Sequence, residues 1–292
     1  MRKPFIIGLY CLCLSHIALA QNGAVRPAFK AQYIQLPGNV ELEYVEQGTA
    51  SGTPVIFLHG ITDSWHSFES TLPHLPKSLR AFAITQRGHG HSFKPDAAYQ
   101  MKDFAADIAA FIKAKHLGQA VIVGHSMGGL VAQQLALDYP HLIKAIVIVD
   151  SDASFIDNPG MPEFLNEVTQ LTDPVAFEFA DAFQKSTLSR PIDSAYYQLL
   201  VGESLKVPAH VWREAMQQTL YANFTSQLPM IQKPTLIFWG SKDSICPHKD
   251  QEILQKGIQG SKLIVYEGVG HALHWEEPER FVKDLVSFIA NQ

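Results

Sequence analysis

Ser126 stands in the pentapeptide Gly124-His125-Ser126-Met127-Gly128, after the apolar β-branched run Val121-Ile122-Val123 and before a helix-forming stretch from Gly129 to Tyr139. A serine on a strand-to-helix turn, with a glycine two residues away on each side, is arranged as a nucleophile. The turn is sharp enough to strain the serine backbone, and the glycines let strand and helix pass without Cβ clashes. The hydroxyl is lifted clear of the sheet, and the start of the following helix offers backbone N–H groups to a developing negative charge. The chemistry this suits is covalent acyl transfer. Gly-x-Ser-x-Gly also arises by chance in glycine-rich loops; the strand before and the helix after set this one apart.

A serine hydroxyl needs a base, and the base needs an acid to orient it. Enzymes with such an elbow place them in chain order serine, acid, histidine. The run Pro234-Thr235-Leu236-Ile237-Phe238-Trp239-Gly240 reads as a strand, and Asp243 follows it in Ser241-Lys242-Asp243. The next strand-like run, Leu263 to Tyr266, is followed by Glu267-Gly268-Val269-Gly270-His271. Ser126, Asp243 and His271 thus lie just past three strand ends, where ligands bind in open α/β sheets. Asp150 and Asp152, at the end of the run Ala145–Val149, are the alternative acid. His274 is read as packing the last helix, and His125 as packing beside the nucleophile. Cys246, near the acid loop, is read as inert. His89 and His91 share an H-x-H spacing, but without H-E-x-x-H or a Cys–His cluster they brace a loop or face solvent, and no metal site is expected.

Gln32 to Leu36 and Glu41 to Glu46 alternate like two antiparallel strands joined at Pro37-Gly38-Asn39. From Val55 onward short, continuous apolar runs appear at 55–58, 81–84, 121–123, 145–149, 236–239 and 263–266. Such runs suit parallel strands buried on both faces. Helical faces lie between them, one built from Phe104, Ile108, Phe111 and Ile112, another from Leu130, Val131, Leu135 and Leu137. The alternation predicts a mostly parallel, doubly wound α/β sheet. Residues 151–229 break it with helix-like pieces at 162–171, 174–185, 194–201 and 209–219 and no buried strand. They are read as a helical cap inserted between core segments 21–150 and 230–292. The cap is rich in large apolar side chains, some of which must line a pocket for an apolar or bulky substrate. Phe155, Met161, Phe183 and Trp212, with His59 and His125 from the core, are the expected lining.

On these residues the chain resembles the α/β-hydrolase fold family. The likeness extends over His59-Gly60, Arg87-Gly88-His89-Gly90-His91-Ser92, the elbow, Trp239-Gly240-Ser241-Lys242-Asp243, and Gly270-His271 with Glu277-Pro278. The resemblance implies an α/β-hydrolase fold with Ser126 as nucleophile, His271 as general base and Asp243 as its partner. It also implies an oxyanion hole made by the backbone N–H groups of Met127 and Ile61, and no metal or organic cofactor. Thr85 departs from the family, where many members have an acid two positions before Arg-Gly. Serine at 126 points away from the dehalogenase and epoxide-hydrolase branches, which carry aspartate there. Glu163, Glu167, Glu178 and Asp181 could serve an aminopeptidase, but read better as a solvated helix face. The expected activity is a serine esterase or lactonase, and the cap's spacing resembles that of the macrolide esterases. The alternatives are a non-catalytic binder of the same fold, or an acyltransferase or perhydrolase.

The 292 residues are 47% hydrophobic and 17% charged, enough to bury a large core. Residues 1–20 read as a secretory signal peptide: basic Arg2 and Lys3, an apolar run from Phe5 to Leu14, and Ala18-Leu19-Ala20 as the cleavage site. A retained N-terminal anchor is the alternative. Cleavage after Ala20 predicts a secreted or periplasmic protein with no stable membrane association. Removing Arg2 and Lys3 changes the net charge from −5 to 21 − 28 = −7. No basic stripe exists to hold nucleic acid. Cys246 would be the one cysteine left, so no intramolecular disulfide is expected.

Overall fold

The computed structural model describes residues 29–158 and 160–292. The expected signal peptide lies outside the described residues. Eight strands form one sheet: β1 (Gln32–Leu36), β2 (Val40–Gln47), β3 (Thr53–Leu58), β4 (Leu79–Ile84), β5 (Ala120–His125), β6 (Ile143–Val149), β7 (Thr235–Gly240) and β8 (Lys262–Tyr266). Their spatial order is β1-β2-β4-β3-β5-β6-β7-β8. β1 and β2 pair antiparallel, as does β2 with β4, while every pair from β4 to β8 is parallel.

The continuous apolar runs are explained by two cores. Ile56, Leu58, Ile122, Ile146 and Ile148 point into one cluster, and Val55, Phe57, Val121, Val123, Val147 and Val149 into another on the opposite face. Successive strand residues alternate faces, so a strand covered on both sides has no polar position to fill. Helices α1 (Met101–Ala114) and α2 (Met127–Asp138) cover the first face. β8 departs from the expectation of a fully buried strand. It is the sheet edge, and only Tyr266 is buried, because one side has no neighbouring strand.

Between β6 and β7 the chain runs through α3 (Met161–Thr169), α4 (Phe177–Ser186), α5 (Ser194–Leu205) and α6 (Ala209–Tyr221). These pack as pairs, with Phe164 stacked on Phe183 at 5.6 Å and Trp212 set edge-on to Phe179 and Phe183. α7 (His248–Gly257), α8 (Leu273–Glu276) and α9 (Pro278–Ile289) complete the chain, and α9 buries Phe281, Val282 and Leu285 in the second core. No helix of the described residues is long and apolar enough to cross a membrane.

Cap and sheet are tied by polar side chains. Gln184 of α4 donates to Asp63 Oδ1 (2.8 Å) and to Ser204 Oγ of α5 (2.8 Å), and Ser204 Oγ lies 3.1 Å from Thr62 Oγ1. Asp63 is fully buried, and burial, with Glu203 nearby, pushes its carboxyl up to about 8 despite the Gln184 and Ser67 hydrogen bonds.

Candidate active site

The elbow forms because the chain must leave β5 and enter α2 within one residue. Ser126 sits at φ 51°, ψ −118°, a left-handed backbone that non-glycine residues rarely adopt. Two glycines make the turn possible. A Cβ on Gly124 would lie 2.1 Å from the Gly128 carbonyl oxygen, and one on Gly128 would lie 2.3 Å from that of Leu58. The strained serine is pinned at both backbone ends: its N–H donates to Val149 O (3.0 Å), and its carbonyl accepts from Ser151 Oγ (2.7 Å). Such strain persists only where surrounding structure over-determines the residue.

Asp243 lies in the loop after β7, and both of its carboxyl oxygens accept hydrogen bonds. Its Oδ1 accepts the N–H groups of Ile245 (2.8 Å) and Cys246 (2.9 Å), and its Oδ2 accepts from His271 Nδ1 (2.9 Å). The pair is buried, the histidine at 4% and the carboxylate at 0% exposure. This bond fixes the proton on Nδ1 and leaves Nε2 as the proton acceptor. His271 and Ser126 line the same cavity. Among the described residues no hydrogen bond of 3.5 Å or less joins Ser126 Oγ to the ring; such bonds are commonly long before substrate arrives and tighten with it. The N–H groups of Ile61 and Met127 make no backbone hydrogen bond among the described residues. Met127 is the first residue of α2, where N–H groups have no intrahelical partner. Ile61 follows Gly60, whose Cα approaches His125 and Ser126 so closely that a Cβ would meet them at 2.9 and 3.3 Å.

Asp150 sits at the end of β6 but does not orient His271. Its Oδ1 accepts from Gly240 N (2.8 Å) and its Oδ2 from Leu273 N (3.4 Å), so it braces the two loops that carry Asp243 and His271. Burial and the neighbouring Asp243 hold its carboxyl well above the carboxylate range. Asp152 accepts from Gln251 (2.9 Å), and its carboxyl is pushed up to about 9, by burial first and by Asp250 and Asp243 after it. Asp243, Cys246 and His271 bring one potential metal ligand each within 4.8 Å of one another. They are a poor donor set, because both Asp243 oxygens already accept hydrogen bonds and burial pushes the Cys246 thiol well up, against the thiolate that metals bind.

Of the expected lining, Phe155, Met161 and Phe183 do face the cavity, which measures about 120 Å³. Three residues do not, and the reasons are physical. His59 is fully buried, accepting from Gln86 N (2.9 Å) with its ring against His89. His125 turns beneath the elbow, its ring 4.5 Å from that of His274. Trp212 is fully buried behind Phe183. Phe164, Ser186, Met216, Thr219, Leu220 and Ile245 complete the wall and were not singled out as lining from sequence. The 3–4 spacing of Met216, Thr219 and Leu220 was the available signal, but it reads equally as cap core. Glu163, Glu167 and Glu178 are exposed, and Asp181 accepts from Tyr197, so none of them lines the cavity. His274 is buried against Phe68 and Ser67, and His89 is buried with Nδ1 on Arg87 O (2.8 Å).

The sequence pattern of the alpha/beta hydrolase fold family matches residues 53–278. The chain is 38% identical over 268 residues to the 2-(acetamidomethylene)succinate hydrolase of Mesorhizobium japonicum, covering 86% of this chain and 92% of that protein. It is 27% identical over 278 residues to the non-heme chloroperoxidase of Burkholderia pyrrocinia, covering 88% and 99%. Among solved structures, the esterase RhEst1 from Rhodococcus sp. ECU1013 superposes with a TM-score of 0.80 at 25% identity, covering 89% of this chain and 98% of that one.

Proposed function

The chain belongs to the α/β-hydrolase fold family, and from that membership we propose that it is a serine hydrolase cleaving a carboxylic ester or lactone through an acyl-enzyme on Ser126. The observation that carries the reading is the Asp243–His271 hydrogen bond of 2.9 Å, on a ring that shares a cavity with a strained elbow serine. In the reaction His271 Nε2 takes the Ser126 proton as the oxygen attacks the carbonyl carbon. Asp243 keeps the other ring nitrogen protonated and stabilises the imidazolium. The N–H groups of Met127 and Ile61 receive the oxyanion; each such donor is worth roughly 10²–10³ in rate. His271 returns the proton to the departing alcohol, water attacks the acyl-serine with His271 again as base, and the acid leaves.

The cavity narrows the substrate. About 120 Å³ is well below the roughly 300–1,000 Å³ of drug-sized ligand pockets, so the part that enters is a compact acyl group. Among the described residues no Lys or Arg lines the wall. A dicarboxylate such as the succinate in the name of the Mesorhizobium relative would find no counter-ion there, which favours a neutral and largely apolar acyl group. A macrocyclic lactone, the bulkier substrate raised by the cap, enters only if the cap moves off the sheet. Acyl transfer or cofactor-free perhydrolysis would use the same acyl-enzyme, and the likeness to the chloroperoxidase favours keeping it as a second reading.

Labelling with a fluorophosphonate, followed by a panel of short and long acyl esters, small lactones and macrocyclic lactones, tests the proposal. Ser126 is expected to carry the label, and short neutral esters to be turned over fastest. An unlabelled, inactive protein would return the chain to the non-catalytic binders. Product analysis with competing alcohols or peroxide separates hydrolysis from transfer. Export is part of the proposal, and an N-terminus beginning at Gln21 in protein recovered outside the cytoplasm is its test.

A further inference from the structure

Thr219 lines the cavity and carries a buried hydroxyl whose place in the wall is unusual. It is 4% exposed and lines the wall between Met216 and Leu220, yet its Oγ1 has no hydrogen-bond partner among the described residues. A helical threonine ordinarily returns its hydroxyl to the carbonyl one turn back, and this one does not. Among the described residues ten other buried polar side-chain atoms lack a partner, and none of them belongs to a residue lining this cavity. Ser186, the other hydroxyl outside the reacting pair, already donates to Phe183 O at 2.7 Å. The rest of the cap side of the wall, among the described residues, is apolar: Phe155, Met161, Phe164, Phe183, Met216 and Leu220. A buried hydroxyl left without a partner destabilises the fold unless something enters to meet it.

We propose that Thr219 is a specificity-determining residue whose hydroxyl hydrogen-bonds one neutral oxygen or nitrogen carried by the acyl part of the substrate. The substrate class is then an ester or lactone whose compact acyl chain bears a single keto, hydroxyl or amide group a few atoms from the scissile carbonyl. A hydroxyl both donates and accepts, so a ketone and an alcohol are each recognised. A hydrocarbon acyl group of the same length fills the space and leaves Oγ1 unpaired. This inference rests on the reading of Ser126 as nucleophile.

The test pairs p-nitrophenyl pentanoate with its 3-oxo and 4-oxo analogues on the wild type, Thr219→Val and Thr219→Ser. The wild type is expected to favour at least one oxo ester over the hydrocarbon in kcat/KM by about 10-fold, the size of one well-placed hydrogen bond. Thr219→Val, which keeps the shape and removes the hydroxyl, is expected to erase that preference, bringing kcat/KM for the oxo esters and the pentanoate to within about two-fold of the ratio of their uncatalysed hydrolysis rates. Thr219→Ser is expected to retain it. Without substrate, Thr219→Val is expected to raise Tm by about 2–4 °C, because an unpaired buried hydroxyl is gone. An oxo-to-hydrocarbon ratio that is the same in wild type and Thr219→Val overturns the proposal, as does a fall in Tm, which would mean that the hydroxyl is satisfied within the protein or by resident water. If Ser126 takes up the fluorophosphonate and the ratio does not move, this inference fails alone. If neither labelling nor turnover is seen, the reading of the site fails first.

Discussion

His125 Nε2 donates to the main-chain carbonyl of His271 across 3.0 Å, so the residue before the elbow serine holds the backbone of the histidine proposed as its base. β5 and β8 have two strands, β6 and β7, between them in the sheet, and 146 positions of sequence separate the two histidines. Burial, with His274 and His271 nearby, keeps the His125 imidazole well below its ordinary pKa, so the ring is neutral with its proton on Nε2. Replacing it by phenylalanine keeps a ring but leaves the carbonyl unpaired. His125→Phe is expected to lower kcat by about 10-fold with little change in KM, and His125→Gln, which restores a donor, to recover part of it. Steady-state kinetics on a short p-nitrophenyl ester, with the fluorophosphonate labelling rate in parallel, reads this out.

Ser126 carries backbone strain as well as the chemistry proposed for it. Ser126→Ala is expected to remove at least about 10⁴-fold of the activity without unfolding the protein. Ser126→Gly should be equally inactive and more stable by about 1–3 kcal/mol, since glycine accepts φ 51° without the Cβ clash. Chemical denaturation of the two variants beside the wild type decides it, and a Gly variant no more stable than Ala would mean that the elbow is not strained.

Asp243 and Asp150 are distinguishable by what their carboxylates touch. Asp243→Asn removes the acceptor that fixes the His271 tautomer and is expected to lower kcat by about 10⁴-fold. Asp150→Asn keeps an acceptor for one of two backbone N–H groups and is expected to cost no more than about 10-fold, while Asp150→Ala lowers Tm because both are left unpaired. The opposite ranking of the two Asn variants would make Asp150 the orienting acid.

Stability should fall as pH rises. Asp63 has its carboxyl raised from 3.8 to about 8 in the folded state. Between about pH 4 and pH 8 the folded chain therefore holds a proton that the unfolded chain has released. The Asp63 contribution is full below about pH 4 and is lost as pH climbs through 8, at up to about 1.4 kcal/mol per pH unit. Asp152, pushed up to about 9, acts in the same direction. Asp63→Asn does not titrate and can still accept from Gln184, so its stability relative to the wild type is expected to grow from pH 5 to pH 9. A difference independent of pH would show that the carboxyl is already ionised. Denaturant melts at four or five pH values suffice.

Much of the candidate site was legible along the chain, for reasons that individual residues make plain. Gly124 and Gly128 announce the elbow because no side chain fits where they stand. Asp243 and His271 could be picked out because each follows a recognisable apolar strand, and loops past strand ends are where this kind of sheet does its work. The cap helices were visible from their periodicity. The lining of the cavity was not. His59, His125 and Trp212 looked available because their types are common in pockets, but each had a nearer partner in the fold. Asp63 and Gln184 gave no signal at all, since a hydrogen bond between residues 121 positions apart has no local pattern.

Local rules of backbone and periodicity therefore determined the sheet, the elbow, and the order in which the candidate serine, aspartate and histidine follow their strands, since each depends on a few neighbouring residues. Only the tertiary structure decided which cap side chains meet the cavity, that its wall is small and, among the described residues, free of Lys and Arg, and that among them Thr219 alone of the lining has a buried hydroxyl without a partner. Those features arise where helices from one segment land on strand ends from another. The docking is set by the summed packing and desolvation of many distant groups, none of which fixes it alone.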